Sequence, residues 1–435
     1  MERLRVLVLA PDCNPEGISI PFVAYRHAAA LADLHDVTLV IGSPAESSVR
    51  RAKASFRSIE VVQMPVLEWI FAWCFRTILR GNFDTQALTA LSYPFSLAFE
   101  WYAWRQLRQR ISAGEFDVVL RLLPMSPTVP SPFAFFLRKG PVPFVIGPLN
   151  GGLRSAPGFS QPDKEKGWGW TVRRFYRYVP FARSTYRHAA AVIIASYHMR
   201  AEFSDYRDKL FFIPENGIAR SLCSNDTRSA QAGSKLELIF VGGLVPRKAC
   251  YIGLRAAAPL LQRELARFTV IGDGPERNHL EELVRSLGIE KSVTFCGWLG
   301  HAEVLARLRA SDVVVLPAIR EGGGGVVFEA LACGAVPVIL DYGGPGDIVQ
   351  PKVGFKVSPT NETDVIIQME KILTELEGNR ELAYRLRQEG MSYARECLTW
   401  DAKARRTTRV LNWAVRQGPK PELTPSTMLQ TEHVS

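Results

Sequence analysis

The sequence predicts an α/β fold of two doubly wound, Rossmann-like domains in series. Three observations carry that expectation. Short apolar runs rich in Val, Ile and Leu recur along the chain, segments with helical spacing lie between them, and one polar stretch divides the series in two. Strands that are apolar throughout belong to a parallel sheet covered by helices on both faces. At 435 residues the chain is also too long for one ordinary core, so two domains are expected.

The first series opens with LRVLVLA (4–10) and VTLVIGS (37–43), joined by the helical FVAYRHAAALADLH. Further strands are expected at FDVVLRL (116–122), VPFVIGP (142–148), AAAVIIAS and KLFFIPE, which gives an N-terminal domain over 1–218. The pattern stops at ARSLCSNDTRSAQAGSK (219–235), a polar stretch read as the linker. A second domain is expected over 236–395. Its strands are LELIFVGGL (236–244), RFTVIGDGP (267–275), SVTFCGW (292–298), SDVVVLPA (311–318) and AVPVILD (335–341), with helical segments between them. A long helical stretch over roughly 379–417 follows. The last segment, GPKPELTPSTMLQTEHVS (418–435), is polar and proline-containing, and is expected to be disordered.

Composition narrows the function classes. Apolar residues make up 47% and charged residues 22%, as in a soluble globular enzyme. The formal net charge is +10, and residues 1–218 hold most of it, with 26 Lys+Arg against 18 Asp+Glu. Such a face suits nucleic acid, an anionic membrane or a phosphorylated ligand, or is simply solvated surface. The seven cysteines are unpaired at metal or redox spacing, which points to a reducing, cytoplasmic setting with mostly buried thiols. The opening MERLRVLVLAPDCNP reads as a first strand rather than a signal peptide. No stretch approaches the ~20 apolar residues of a membrane-spanning helix.

The residues that carry chemistry cluster in the second half. In EGGGGVVFEALACGAVPVIL (321–340), four glycines lie between a buried strand and the short helix FEALACG. This is a strand-to-helix loop at the carboxyl end of a parallel sheet, where such folds bind ligands. Glycines let backbone approach a ligand closely, and free N–H groups at a helix start favour an anion. Gly324, Gly325 and Val326 are therefore read as a phosphate cradle, against the plainer reading of a turn. Glu321 precedes the loop, and Glu329 is expected in the first turn of the helix, so both carboxylates can face one crevice. Carboxylates accept hydrogen bonds from vicinal diols, and a phosphate flanked by two of them describes a nucleotide sugar. For Glu329 the alternative is compensation of the helix dipole. In FVGGLVPRKACYIGLRAA, a turn at Gly242 and Gly243 leads to Arg247 and Lys248, cations suited to a diphosphate leaving group.

These residues fall into an ordered run of motifs. It comprises G-x-L-x-x-x-K at 242–248, VIGDGPERNHLEEL, VTFCGWLGHAEV, the Glu321/Glu329 pair with seven residues between, and EALACGAVPVI. The run resembles retaining glycosyltransferases of family 4, which have the GT-B fold of two Rossmann-like domains facing a central cleft. The late YARECLTWDAKARR resembles that family's closing helix, which crosses back to the first domain, here over 396–417. FFIPENGI (211–218) resembles its hinge.

The resemblance implies roles. Glu321 and Lys248 would be the catalytic residues, Glu321 beside the transferred sugar and Lys248 on the diphosphate. Glu329 would hold the donor ribose, the backbone of Gly324 to Val326 would cap the distal phosphate, and VTFCGW would lie by the base. Gly17, in PDCNPEGIS after the first strand, corresponds to a glycine loop of the family.

The chain also departs from the family's pattern. Gly243 stands where an Arg is usual, with Arg247 as the substitute, and Gly323 stands where an aromatic is usual. Leu120 and Arg121 stand where many relatives place a histidine. VIGPLNGG replaces T-x-H-G, so Asn150, Gly151, Gly152 and Arg121 are candidates for the cleft wall. No D-x-D motif or metal-ligand cluster is seen, and such enzymes need no metal or other cofactor.

Three aromatic stretches in the first half, 66–83, 91–110 and 168–188, carry Trp and Phe. The last adds Arg173, Arg174, Arg177, Arg183 and Arg187. They suit attachment to an anionic membrane, or form a packed excursion with a basic face. No nucleic-acid-binding motif accompanies them, so no nucleic acid partner is expected. The resemblance implies a nucleotide-sugar donor and a glycan or lipid-linked acceptor, with the protein cytoplasmic or held on the inner face of the membrane. The rival readings are a non-catalytic nucleotide-sugar or glycan-binding protein, and a GT-B sugar-nucleotide epimerase.

Overall fold

The computed structural model describes residues 3–70, 85–159, 178–223, 234–416 and 418–429, with side chains of 85–91 left aside. The aromatic stretches expected at 66–83 and 168–188 lie in large part outside the described residues, as do Arg173, Arg174, Arg177 and most of the expected linker.

Seven parallel strands form the first sheet: β1 (Arg5–Leu9), β2 (Asp36–Gly42), β3 (Ser58–Val62), β4 (Val118–Arg121), β5 (Phe144–Leu149), β6 (Ala191–Ile194) and β7 (Leu210–Phe212). Their order is β3-β2-β1-β4-β5-β6-β7. Six parallel strands form the second: β8 (Leu236–Val241), β9 (Ala266–Ile271), β10 (Val293–Gly297), β11 (Val313–Leu316), β12 (Val336–Leu340) and β13 (Phe355–Val357). Their order is β10-β9-β8-β11-β12-β13.

In both sheets the order reverses once, between β1 and β4 and between β8 and β11. Leu9 stands beside Val40 on one side and Arg121 on the other, while Val313 stands beside both Leu238 and Val336. At such a reversal the connections leave to opposite faces and a crevice opens beyond the carboxyl ends of the strands. The central strands are buried along their length because helices cover both faces.

The helices that frame the site or join the halves are α1 (Ile20–Leu34), α2 (Thr85–Ser112), α3 (Cys250–Gln262), α4 (Arg277–Ser286), α5 (His301–Ala310), α6 (Gly325–Cys333), α7 (Gly343–Ile348), α8 (Glu362–Gly378), α9 (Arg380–Cys397) and α10 (Trp400–Arg416). The chain passes between the sheets at 213–218 and returns at 397–400. There the two strands of chain lie side by side, with Ile218 N–H donating to Leu398 O (3.0 Å) and Trp400 N–H to Ile218 O (3.1 Å). Gly217 is required at this crossing, since a Cβ would stand 2.8 Å from the Trp400 ring. Beyond it α10 packs on α1 of the first domain. Thr407 Oγ1 lies 2.9 Å from His27 Nε2, and Thr408 Oγ1 lies 2.8 Å from His35 Nε2.

Two expectations are corrected. The segment 418–429 is ordered rather than disordered, with Leu423 and Met428 buried. Its composition concealed the reason, which lies in the sheet: β7 is an edge strand with unpaired backbone groups, and Phe212 N–H donates to Leu423 O at 3.2 Å. The helix after the glycine loop begins three residues earlier than FEALACG suggests, at Gly325. Glu329 therefore lies in its second turn, where compensation of the helix dipole has faded.

Candidate functional site

The loops that leave β8 and β11 meet at the reversal point of the second sheet. After β8 the backbone turns at Gly242, with φ +153°, and its carbonyl lies so close to Gly272 that a Cβ on Gly272 would be 2.0 Å away, which requires glycine there. A tight turn, Pro246–Lys248, then leads through Ala249 (φ 49°) into α3. That turn directs Arg247 and Lys248 at the loop that follows β11. Lys248 Nζ lies 2.5 Å from Glu321 Oε2, and Arg247 Nη1 lies 3.9 Å from the same oxygen. The loops are also tied through backbone, with Ile319 N–H donating to Arg247 O at 3.0 Å.

Burial alone would raise the Glu321 carboxyl. It is opposed by the Lys248 charge and hydrogen bond, the Gly324 N–H (3.1 Å to Oε1) and Arg247, and the balance leaves the carboxyl below its ordinary range. Glu321 is therefore ionised at neutral pH, and two cations share one carboxylate.

The four glycines have a packing reason as well as the one read from sequence. A Cβ on Gly322 would meet the Asn150 amide at 3.1 Å, and one on Gly323 would meet the Asn216 amide at 2.9 Å. From the far side Gly344 approaches so closely that its Cβ would be 2.2 Å from Gly322 O. Gly324 adopts φ +59°, which a side chain would oppose, and starts α6. The first N–H groups of α6, from Gly325 and Val326, have no intrahelical acceptor, so the helix opens with donors free for an anion beside Arg247 and Lys248.

Glu329, one turn further along α6, holds His301 at the start of α5, with Oε1 2.8 Å from Nε2. From sequence, His301 reads as a lone surface or core histidine rather than a catalyst; its place at the head of a helix, four residues after β10 ends, was the available signal for its contact with Glu329. Trp298, 69% exposed, stands at the mouth of the same crevice, its ring 3.8 Å from the Cβ position of Gly243.

The first domain contributes one of its expected residues directly. Asn150 follows β5, donates its amide to Glu215 Oε2, and lies against Gly322 of the glycine loop. Gly151 and Gly152, which follow it, have φ +136° and +75°. Gly17 sits in a turn after β1, where Gly17 N–H donates to Asn14 O at 3.3 Å. The left-handed residue of that loop is Ser19 (φ 58°), not Gly17.

Arg121 is not in the cleft. It is wholly buried and pairs with Glu100 of α2 at 3.0 Å, with Nη1 on Val129 O at 2.9 Å. The last residue of a central strand, expected to point into the crevice, points instead into the helix layer, where α2 supplies a carboxylate. Leu120 beside it is core.

A second buried polar group, which sequence reasoning missed, lies under the crossing between domains. Lys403 of α10 is 2% exposed, donates to Glu215 O and lies 5.2 Å from the Trp400 ring. Burial lowers its ammonium to about 7, with Glu215 opposing. Burial raises the Glu215 carboxyl, which Asn150 and Lys403 only partly offset. Asn216 donates to Gly323 O at 3.0 Å. A polar chain thus runs from α10 through 215–216 to the glycine loop and to Asn150. Among the described residues no group of three His, Cys, Asp or Glu is arranged to hold a metal ion.

Residues 225–390 match the family model for glycosyl transferases group 1. An uncharacterized glycosyltransferase of Methanocaldococcus jannaschii is 30% identical over 179 residues, 41% of this chain and 45% of that protein. A D-inositol 3-phosphate glycosyltransferase of Rhodococcus erythropolis is 35% identical over 164 residues, 34% of this chain and 37% of that protein. The chain therefore spans less than half the length of these curated relatives. Over the whole fold, the crystal structure of Anabaena HepE in complex with UDP covers 94% of this chain and all of its own, with a TM-score of 0.61 at 15% identity. The architecture is GT-B: two parallel-sheet, Rossmann-like domains.

Proposed function

We propose that the chain is a retaining glycosyltransferase. It takes a sugar from a nucleotide-diphosphate donor and passes it to a hydroxyl of a glycan or lipid-linked acceptor. The observation that carries this reading is the convergence of Lys248, Arg247 and Glu321 on the open start of α6, at the reversal point of the second sheet. The group 1 match over residues 225–390 supports it.

The pieces fit the chemistry as follows. Lys248 neutralises Glu321. A diphosphate competes for Lys248 and Arg247 and takes the N–H groups of Gly325 and Val326, which frees the Glu321 oxygens for the sugar hydroxyls. Glu329 accepts from the ribose diol, and Trp298 offers a flat apolar face beside the base. As the bond from the anomeric carbon to the phosphate oxygen breaks, negative charge grows on the diphosphate. Fixed cations and helix N–H groups stabilise that charge more than the ground state. The acceptor oxygen attacks the anomeric carbon from the same face, and its proton passes to the departing phosphate. No enzyme nucleophile is required, and the cations supply the charge a metal would otherwise bring.

On the first domain, Trp101 and Tyr102 are half exposed beside a cavity of about 410 Å³ lined also by Leu67, Leu97, Phe136 and Phe181. Trp69 and Val66 are exposed nearby in sequence to Leu67. This apolar surface on the more basic half supports attachment to an anionic membrane that presents the acceptor. No helix among the described residues is long and apolar enough to cross a membrane.

The test is calorimetric titration of UDP-, GDP- and ADP-sugars into the wild type and Glu329→Ala. The complex of Anabaena HepE makes UDP the first probe. Saturable binding of one nucleotide class that weakens in the variant is expected. Absence of binding by every donor would remove the donor site, and with it the transferase reading.

A further inference from the structure

On the opposite flank of the first sheet, a cavity of about 300 Å³ opens between β7, the turn at 197–201 and the segment 420–424. Its floor is apolar: Ile194, Leu210, Phe211, Phe212 and Leu423. Its rim carries three cations, Arg200, Arg207 and Lys420, against the single carboxylate of Glu422. Among the described residues none of the three cations makes an ion pair. Arg200 turns its Nη1 to Tyr197 Oη (2.8 Å), and Lys420 Nζ donates to Arg207 O (2.8 Å) while lying 5.0 Å from the Phe211 ring. Lys420 is drawn below the ordinary lysine value by burial, which Asp208 opposes more than the like charge of Arg200 adds to it. The return of the chain's last segment to the β7 edge sets three cations around a cavity whose lining holds one carboxylate, an arrangement that suits an anion.

We propose that this cavity is a binding site for a small phosphate monoester with an apolar ring or hydrocarbon body. Charge selects the headgroup. Three cations and one carboxylate leave an excess of two positive charges, matched by a phosphate monoester near its second ionisation and only half matched by a carboxylate. Two guanidinium groups favour a multi-oxygen anion that each can grip with paired N–H groups. Size and floor select the body, since the volume lies at the small end of ligand cavities, and two phenylalanines form the base.

Position gives the site a consequence. Each of its two walls reaches the second domain. Ser196 Oγ (2.6 Å) and Tyr197 N–H (2.7 Å) donate to Asp347 of α7, and Gln350 Nε2 donates to Pro425 O at 3.2 Å. A ligand that bridges Arg200 and Lys420 joins both links on one side of the crossing.

The inference does not depend on the donor site, and the experiment separates the two. Phenyl phosphate is titrated calorimetrically at low salt into the wild type, Arg200→Gln/Lys420→Gln and Lys248→Ala, with benzoate and phenol as the carboxylate and uncharged controls. The expected result is one saturable site for phenyl phosphate, weakened about tenfold or more in the double variant and retained in Lys248→Ala. Benzoate should bind more weakly and phenol not measurably. The substituted side chains are exposed, so unfolding temperatures without ligand should match the wild type; Lys420→Gln alone serves if they do not. Binding unchanged by these substitutions, binding lost only in Lys248→Ala, equal binding of phenol, or no saturable binding at millimolar probe would each overturn the proposal.

Discussion

The two sheets of this protein share a plan and differ in what they do with it. In the second, the loops at the reversal point send Lys248 and Arg247 from one side and Glu321 from the other into a common crevice. In the first, the equivalent strand end carries Leu120 and Arg121, and both turn inward, Arg121 to a buried carboxylate on α2. One domain gathers its charges at a crevice, and the other neutralises them within its own helix layer. Topology places a crevice in each half, but only side-chain orientation decides whether it is chemically armed. The proposed donor chemistry falls to the second domain, and the first supplies a wall to it through Asn150.

The largest effect should follow from breaking the armed side. Lys248→Ala removes the main partner of Glu321 and a cation for the leaving group. Donor hydrolysis should fall on the order of 10²–10³-fold, the loss typical of one transition-state charge stabiliser. The Glu321 carboxyl should also rise toward neutrality, because burial is then opposed only by Arg247 and the Gly324 N–H. A hydrolysis rate close to the wild type's would place Lys248 outside the chemistry.

The matching break in the first domain should act on folding instead. Glu100→Ala strands the wholly buried Arg121 guanidinium, a change that typically costs about 3–5 kcal/mol. Replacing both partners with apolar residues of similar volume, Glu100→Leu with Arg121→Met, should recover most of the loss. Urea unfolding of the three proteins checks this. Equal stability of Glu100→Ala and the wild type would mean that Arg121 finds water or another partner.

The same contrast explains what could be read from the sequence. Most strands and the two-series plan were legible because strand hydrophobicity is local, and the resemblance grouped Lys248, Glu321 and the glycine loop. The edge strands β3 and β13 were not legible, because they are only partly buried and lack a long apolar run. The destination of Arg121 was not legible. A strand residue's face follows from register, but its partner, Glu100, comes from a helix whose packing no local pattern reports. The order of 418–429 was hidden for a related reason: a polar, proline-containing segment looks disordered until an unpaired strand edge is there to hold Leu423. The node of Glu215, Asn216 and Lys403 joins residues almost two hundred positions apart, and in the sequence each reads as an ordinary polar surface residue. The four glycines were only half legible, since Asn150, Asn216 and Gly344 crowd them as much as any ligand would.

A smaller effect is expected at the rim of the armed side. Glu329→Gln keeps an acceptor for a diol but removes the charge. Donor affinity should fall about tenfold, as for one charge-assisted hydrogen bond. The loss should appear in the donor dissociation constant more than in the rate at saturation, because the proposed ribose contact would lie away from the breaking bond. His301, 2.8 Å from Glu329, gives a control. His301→Ala frees that oxygen and should leave donor affinity near or above the wild type's. A drop as large as that in Glu329→Gln would make His301 part of the site itself.

The most gradual effect, a slope with pH rather than a loss at one pH, should come from Lys403, where the two domains are tied together. Its folded-state value is about 7 against an ordinary 10.5. Between those limits the unfolded chain holds a proton that the folded chain has released, so stability should rise as pH increases through that window. The penalty is present in full below about pH 7 and is progressively relieved above it. The slope from one proton is at most about 1.4 kcal/mol per pH unit. Cys13 and Cys250, both raised by burial, titrate with the opposite sign at higher pH, so the useful range is pH 7–9. Lys403→Met should flatten the wild-type slope there while keeping the packing against Trp400. If the two stability curves run parallel, the ammonium is solvated and the polar chain beneath the crossing is looser than its geometry indicates. Converging curves would show that the link between the armed and unarmed domains includes a buried lysine held near neutrality by its surroundings.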